Sequence, residues 1–312
     1  MPRLFPELAP ERAPDRPGPG AMPEPVLRAL DMQIGRRIDG LLPGEFRAMR
    51  MGRGIELAQI RPYEPGTDDI RDIDWNVTAR MSMPHVRVDV AERVLTTWIV
   101  LDVSPSMNFG SADRRKADVA EGVVLALAHL ATRRGNRVGL ITHGEARPRI
   151  LRPTQGRAGM LRVLTALRRD PVVDAAPVSL AATLRQARAI FRSRAAVFIV
   201  SDLMGPKDWR AALLSLSDRH EVVAVEIRDP REQQLTNVGE IWMRDPETGR
   251  ELLVDTRSRQ LQERFAQAAR TDRQQVAALL RANRSGHVTL WTSGDWLRKF
   301  ATFLSRRRRV AA

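Results

Sequence analysis

The 312-residue chain is 43% hydrophobic, contains no cysteine and carries a formal net charge of +14. The apolar share describes a folded chain of one large or two modest domains, and the lack of thiols excludes a disulfide framework, a thiolate zinc site and a cysteine nucleophile. No apolar run approaches the roughly 18 residues of a membrane span, and no apolar core follows the N-terminus as in a secretory signal, so the chain reads as soluble and cytoplasmic.

Residues 1–25 hold eight prolines and little apolar content, the composition of a disordered arm. From Pro25 to about Met51 the residues Val26, Leu27, Leu30, Ile34, Ile38, Leu41 and Leu42 recur at three- and four-residue spacing, which predicts a helix. Residues 52–92 form a separate block with turn signals at Pro62, Pro65-Gly66 and Pro84, and alternation over His85–Val90 that predicts a short strand. Its charges (Arg61, Glu64, Asp68, Asp69, Arg71, Asp72, Asp74) either pair internally or face a partner. Tyr63, Ile70, Ile73 and Trp75 are expected to anchor it as packed residues.

Beyond residue 95, strands and helices alternate. Thr97–Val103 is a continuous apolar run, the mark of a central buried strand. A helix is expected over 112–134, stopped by Gly135. Two strands, Arg137–Thr142 and Arg147–Leu151, flank a His143-Gly144 turn. Helices follow over Gly156–Arg169 and Ser179–Arg192, then a buried strand Ala196–Val200 ending at Ser201-Asp202. A helix at Asp208–Arg219 leads to a third buried strand, Glu221–Ile227. Residues 240–255 predict a hairpin turning at Asp245-Pro246-Glu247-Thr248-Gly249. A long helix over Ser258–Asn283, a strand at His287–Trp291 and a helix at Asp295–Leu304 complete the chain. The alternation implies an α/β domain over 95–312, with a mostly parallel sheet flanked by helices and a hairpin insertion near 240–255. It is preceded by the arm (1–25) and by a helix and accessory region (26–94).

The first buried strand ends in Asp102-Val103-Ser104-Pro105-Ser106. In open α/β sheets ligands bind outside the carboxyl ends of the strands, so three oxygen-bearing side chains leave one tight loop where such a fold keeps its site. Hard cations such as Mg²⁺ take oxygen ligands and keep several waters. Asp202, at the tip of another buried strand, supplies a second carboxylate; without a cation the two acids would repel. The plainer reading makes Asp102 a turn cap and Asp202 a helix-start residue.

These residues resemble the metal-ion-dependent adhesion site (MIDAS) of von Willebrand factor A domains. The block before them is similar to the signature of the bacterial domain-of-unknown-function family fifty-eight: Gly52-Arg53-Gly54, Arg61 through Arg71 (RPYEPGTDDIR), Ile73-Asp74-Trp75 and Thr78-Ala79-Arg80. Ser201-Asp202-Leu203, Asp229-Pro230-Arg231-Glu232 and the hairpin turn resemble further motifs of that family, which together cover residues 28–256. The resemblance implies a von Willebrand A-like, Rossmann-like fold with a small accessory β segment. It implies a metal loop of Asp102, Ser104 and Ser106, with Asp202 as remote carboxylate. Magnesium is the expected ion, with manganese or calcium as alternatives. Where the family pattern expects a Thr, this chain has Val178, which cannot ligate; Ser179 and Thr183 are the nearby substitutes, and Ser179 also suits an N-cap. The resemblance further implies a non-enzymatic adaptor working with a MoxR-type AAA+ ATPase, the metal docking an acidic client protein.

Two other classes compete. The net charge suggests a nucleic-acid binder, but the only lysines are Lys116, Lys207 and Lys299. The arginines are spread throughout, as composition bias would spread them, and the Arg306–Arg309 run is a tail. An enzyme lacks support: no G-x-S-x-G elbow surrounds Ser104 or Ser106, there is no phosphate-binding G-x-x-x-x-G-K-[ST] loop, and His85, His129, His143, His220 and His287 show no ligand spacing. A metal-dependent hydrolase built on Asp102 and Asp202 would have no evident base.

Overall fold

A computed structural model describes residues 18–20, 56–90, 96–111, 113–133, 136–167, 178–245, 247 and 249–306. The arm apart from Gly18–Gly20, the helix expected over 25–51, the Gly135 stop and most of the arginine tail lie outside them. The chain divides into two compact units, Ile38–Val94 and a larger one of Met1–Arg37 with Leu95–Ala312.

In the smaller unit, β1 (Glu56–Pro62) pairs antiparallel with β2 (His85–Val90). Strand β1 escapes the sequence pattern because the register shifts between Leu57 and Gln59, and a bulge breaks the two-residue alternation. Between the strands lies a short helix, α1 (Trp75–Met81). Asp74 caps it by accepting from the amides of Asn76 and Val77, and Ser82 ends it in a left-handed conformation. Arg61 grips Asp68 through two hydrogen bonds of 2.8 and 2.5 Å, and Asp69 caps a 3-10 turn over Ile70–Asp72. Asp68, Asp69 and Asp74 are thus engaged within the unit. The expected anchoring holds only in part: Tyr63 and Ile73 are half-buried, whereas Ile70 and Trp75 are 64% and 68% exposed. A seven-residue helix with no buried residue offers Trp75 no wall to pack on.

The larger unit contains a six-stranded sheet. Its strands are β3 (Thr96–Asp102), β4 (Arg137–His143), β5 (Ile150–Gln155), β6 (Ala196–Ser201), β7 (Glu221–Arg228) and β10 (Gly286–Trp291). They lie in the order β10-β7-β6-β3-β4-β5, all parallel except β5, which runs antiparallel to β4. Strand β5 begins three residues later than its apolar pattern predicts. Arg149, just before it, is bonded to Thr142 of β4, its amide donating to Thr142 Oγ1 and its carbonyl accepting from the Thr142 amide, while its Nε donates to Glu145 Oε1 in the turn.

Helices cover both faces. Trp98, Val100, Ile141, Val197, Ile199, Val222 and Ala224 pack with buried residues of α4 (Leu180–Ile190), α5 (Arg210–Ser217) and α6 (Arg259–Ala282). Trp98 stacks on Phe191 with ring centroids 4.2 Å apart. The alternate strand residues, among them Ile99 and Leu101, point to the other face, where α2 (Lys116–Arg133) packs on the sheet and on α3 (Gly156–Leu167) and α7 (Trp296–Arg306). Pro19 and Gly18 are held on this unit by Trp296 Nε1 and Arg114 Nε, which donate to their carbonyls. The expected hairpin is present: β8 (Glu240–Arg244) pairs antiparallel with β9 (Glu251–Asp255).

Candidate metal centre

Strand order reverses between β3 and β6: the chain first builds outward through β4 and β5, then returns to add β6, β7 and β10 on the opposite side. A crevice at such a switch point is where an open α/β sheet binds ligands, and Asp102 and Asp202 stand at its two lips. Asp102 closes β3. Its Oδ1 accepts from the Ser104 amide (2.9 Å) and Ser104 Oγ (2.6 Å), and its Oδ2 from Ser201 Oγ (2.6 Å) at the end of β6. Pro105 then opens a 3-10 turn over Pro105–Asn108, a position that needs no amide donor, and the turn swings Ser106 inward. Ser104 Oγ and Ser106 Oγ are 3.1 Å apart, and Ser106 Oγ donates to Asp202 Oδ2 at 2.8 Å.

Two backbone features fix this loop. Leu203 has φ 53°, a costly conformation for a branched residue; there its amide donates to Ser201 Oγ while the Met204 amide donates to Asp202 Oδ1. Gly144 has φ +81°, and a Cβ on it would lie 2.7 Å from Ser104 N and Cβ. Only glycine lets the turn after β4 approach the serine loop so closely.

Lys116, fully buried at the start of α2, reaches the same carboxylate: Nζ lies 2.7 Å from Asp202 Oδ2 and 2.5 Å from Glu232 Oε1. Burial pushes the Lys116 ammonium down, but the two carboxylates outweigh it and hold the group above its ordinary value. Burial likewise pushes the Asp202 carboxyl up, and the charge and hydrogen bond of Lys116 override it, with help from Met204 and Ser106, to leave Asp202 below the usual range. Glu232 is placed by a capping box in which the Asp229 amide donates to its Oε2. Asp202 and Glu232 therefore share the one Lys116 ammonium, and the pair keeps an excess of negative charge. His143 Nε2 is 3.5 Å from Asp102 Oδ2 and makes no hydrogen bond among the described residues.

Of the residues singled out in the sequence, Asp102, Ser104, Ser106 and Asp202 come together. Val178 borders the loop: its carbonyl accepts from the Gly144 amide and its amide donates to Glu145. Ser179 caps α4, accepting from the Ala182 amide at 3.2 Å. Thr183 is fully buried, and its hydroxyl has no hydrogen-bond partner among the described residues. Neither hydroxyl is bonded to the four converging residues there. Sequence reasoning missed Lys116, Ser201, Glu232 and His143. Lys116 did carry a signal, as a rare lysine in an arginine-rich chain, and Glu232 lay within a recognised motif.

The donor set suits a hard cation. Two hydroxyls and two carboxylates converge within hydrogen-bonding distance of one another, the ligand type Mg²⁺ takes. Among the described residues no three His, Asp or Glu side chains cluster as a metal-binding group, so Asp102, Ser104 and Ser106, with Asp202 as the remote carboxylate, would hold a cation together with water. A cleft of about 180 Å³ lined by Asp102, Ser104, Asn108 and Arg149 opens beside the loop. It is smaller than the roughly 300–1,000 Å³ of small-molecule sites and suits a single side chain.

The strand order, the antiparallel β5 edge and the loop at the switch point define a von Willebrand A-like α/β domain. The chain belongs to the family described as "Protein of unknown function DUF58", which it matches over residues 59–275. It is 37% identical over 292 residues to the uncharacterized protein Rv1480 of Mycobacterium tuberculosis (strain ATCC 25618 / H37Rv), covering 91% of this chain and 90% of that one. Similar solved structures include the conserved hypothetical protein BatB from Bacteroides thetaiotaomicron, at 14% identity and TM-score 0.46 over 69% of this chain and 99% of that chain. The SpRpn10 VWA domain matches at 15% identity and TM-score 0.36 over 67% and 94%. Among the described residues no helix is long and apolar enough to cross a membrane.

Proposed function

We propose that this chain is a non-enzymatic, metal-dependent protein-binding adaptor of the cytoplasm. The observation that carries the reading is the convergence of Asp102, Ser104, Ser106 and Asp202 at the switch point of the sheet. A bound Mg²⁺ would supply an electrophilic centre for the carboxylate of an acidic partner. The chain's own part is to hold that centre: Ser104 and Ser106 offer hydroxyl oxygens, Asp102 orients Ser104, and Asp202 and Glu232 balance Lys116 while leaving negative charge over. The small cleft favours a protein side chain over a diffusible substrate. Family kinship extends the reading to a MoxR-type AAA+ ATPase that remodels or activates the acidic client.

Calorimetric titration of the whole protein with Mg²⁺ and Mn²⁺, beside Asp102→Ala and a Ser104→Ala/Ser106→Ala pair, tests it. Saturable binding in the wild type, lost in both variants while their circular dichroism is unchanged, is the expected result. Equal binding by all three proteins would remove this loop as the site.

A further inference from the structure

The β8–β9 hairpin reaches from the sheet to the serine loop. Glu247, at its tip, accepts a hydrogen bond from the Ser106 amide at 3.0 Å, across 141 residues of sequence. A carboxylate of the chain itself thus touches the loop that the proposed function reserves for an acidic partner. Its presentation is built: Asp245 Oδ1 accepts from the Glu247 amide, the Gly249 amide donates to the Asp245 carbonyl, and Gly249 takes φ +70° to close the turn. The hairpin is also clasped at its base, where buried Thr256 bonds Val238 and Gly239 and where Arg257 pairs with Glu240 and Asp255. Between base and tip it buries almost nothing. Trp242, Leu252 and Leu253 are about half exposed or more, and Gly239 turns the chain into the hairpin at φ +90°. An arm tethered at its root and tip, with bare sides, can swing without breaking a core.

We infer that the β8–β9 hairpin is a built-in competitor for the metal loop: Glu247 stands in cis where the acidic side chain of a protein partner approaches, and binding such a partner displaces the arm. The inference rests on the proposed function for the identity of the competitor, but the latch itself does not require metal. A latch closed about nine-tenths of the time weakens apparent affinity for an acidic partner about tenfold.

The test uses the full chain, Glu247→Ala and Glu247→Gln. Hydrogen exchange of the Ser106 amide, measured without metal, reads the latch directly; it is expected to quicken about tenfold in Glu247→Ala and less in Glu247→Gln, whose amide oxygen can still accept. Binding of a labelled hexaglutamate peptide with saturating Mn²⁺ reads the competition, and Glu247→Ala is expected to bind about tenfold more tightly than wild type. Unchanged Ser106 exchange overturns the inference, and so does equal peptide affinity in proteins that bind Mn²⁺. If Mn²⁺ binds none of the three, the metal reading fails separately, and the exchange arm still decides whether Glu247 holds the loop.

Discussion

Replacing Lys116 by methionine tests the electrostatics of the site most sharply. Methionine keeps an unbranched apolar side chain of similar reach, so the change removes the ammonium with little packing loss. Lys116 is fully buried between Asp202 and Glu232, and its loss strands both carboxylates. Removing one partner of a buried ion pair typically costs about 3–5 kcal/mol. At roughly 2–4 °C per kcal/mol for a domain of this size, the melting temperature at neutral pH should fall by about 6–20 °C. Two readouts separate this from simple damage. Neutralising the stranded acids (Lys116→Met with Asp202→Asn and Glu232→Gln) should recover much of the loss. Mg²⁺ at about 100 times its dissociation constant should restore about 2.7 kcal/mol and should stabilise the single variant more than the wild type, because the cation then supplies the missing charge. Thermal unfolding followed by circular dichroism reads all of these. A Lys116→Met protein as stable as wild type would refute the argument that this ammonium holds the carboxylates together.

Four further outcomes are expected. His220 is buried against the edge of Phe191, its ring nitrogens lack hydrogen-bond partners among the described residues, and burial, followed by the charges of Arg219, Arg188 and Arg194, lowers its pKa to about 4. The unfolded chain takes up this proton near pH 6.5 and the folded one only near 4. The His220 contribution is therefore whole above 6.5, declines as pH falls and levels off below about 4, a loss of up to about 3 kcal/mol; denaturant titrations across that window should show a shallower decline in His220→Phe. Val178→Thr should tighten Mn²⁺ binding in calorimetry if this position takes the place of the missing ligand, and no gain would assign that role to water or another hydroxyl. Gly144→Ala should destabilise by about 1–2 kcal/mol through its left-handed φ and also weaken Mn²⁺ binding, because the new Cβ presses on Ser104; a loss in stability alone would uncouple that turn from the site. Trp98→Ala, which empties the stack on Phe191, should cost about 3–5 kcal/mol in chemical denaturation and leave the metal affinity of the folded protein unaltered.

Much of this protein was legible in its sequence, and the physical reason is locality. Strands β3, β6 and β7 declare themselves because both of their faces are buried, which requires unbroken apolar runs. The serine loop is legible because its three oxygen-bearing residues lie within five positions of chain, and Ser179 because an N-cap is a local hydrogen bond. Strand β1 was hidden by its bulge. The exposure of Trp75 was hidden because burial depends on what packs opposite, which α1 lacks. Lys116, Glu232 and Glu247 were recognisable as residues but not as neighbours of the site. Their contacts span 86, 116 and 141 positions, distances at which hydrophobic periodicity says nothing about proximity. The order of the strands decides those contacts, by bringing the tips of β3 and β6 side by side, the turn after β7 beside them and the hairpin above. Sequence alone determined the chemistry available to the loop; tertiary structure decided which charges it must balance and which carboxylate reaches it first.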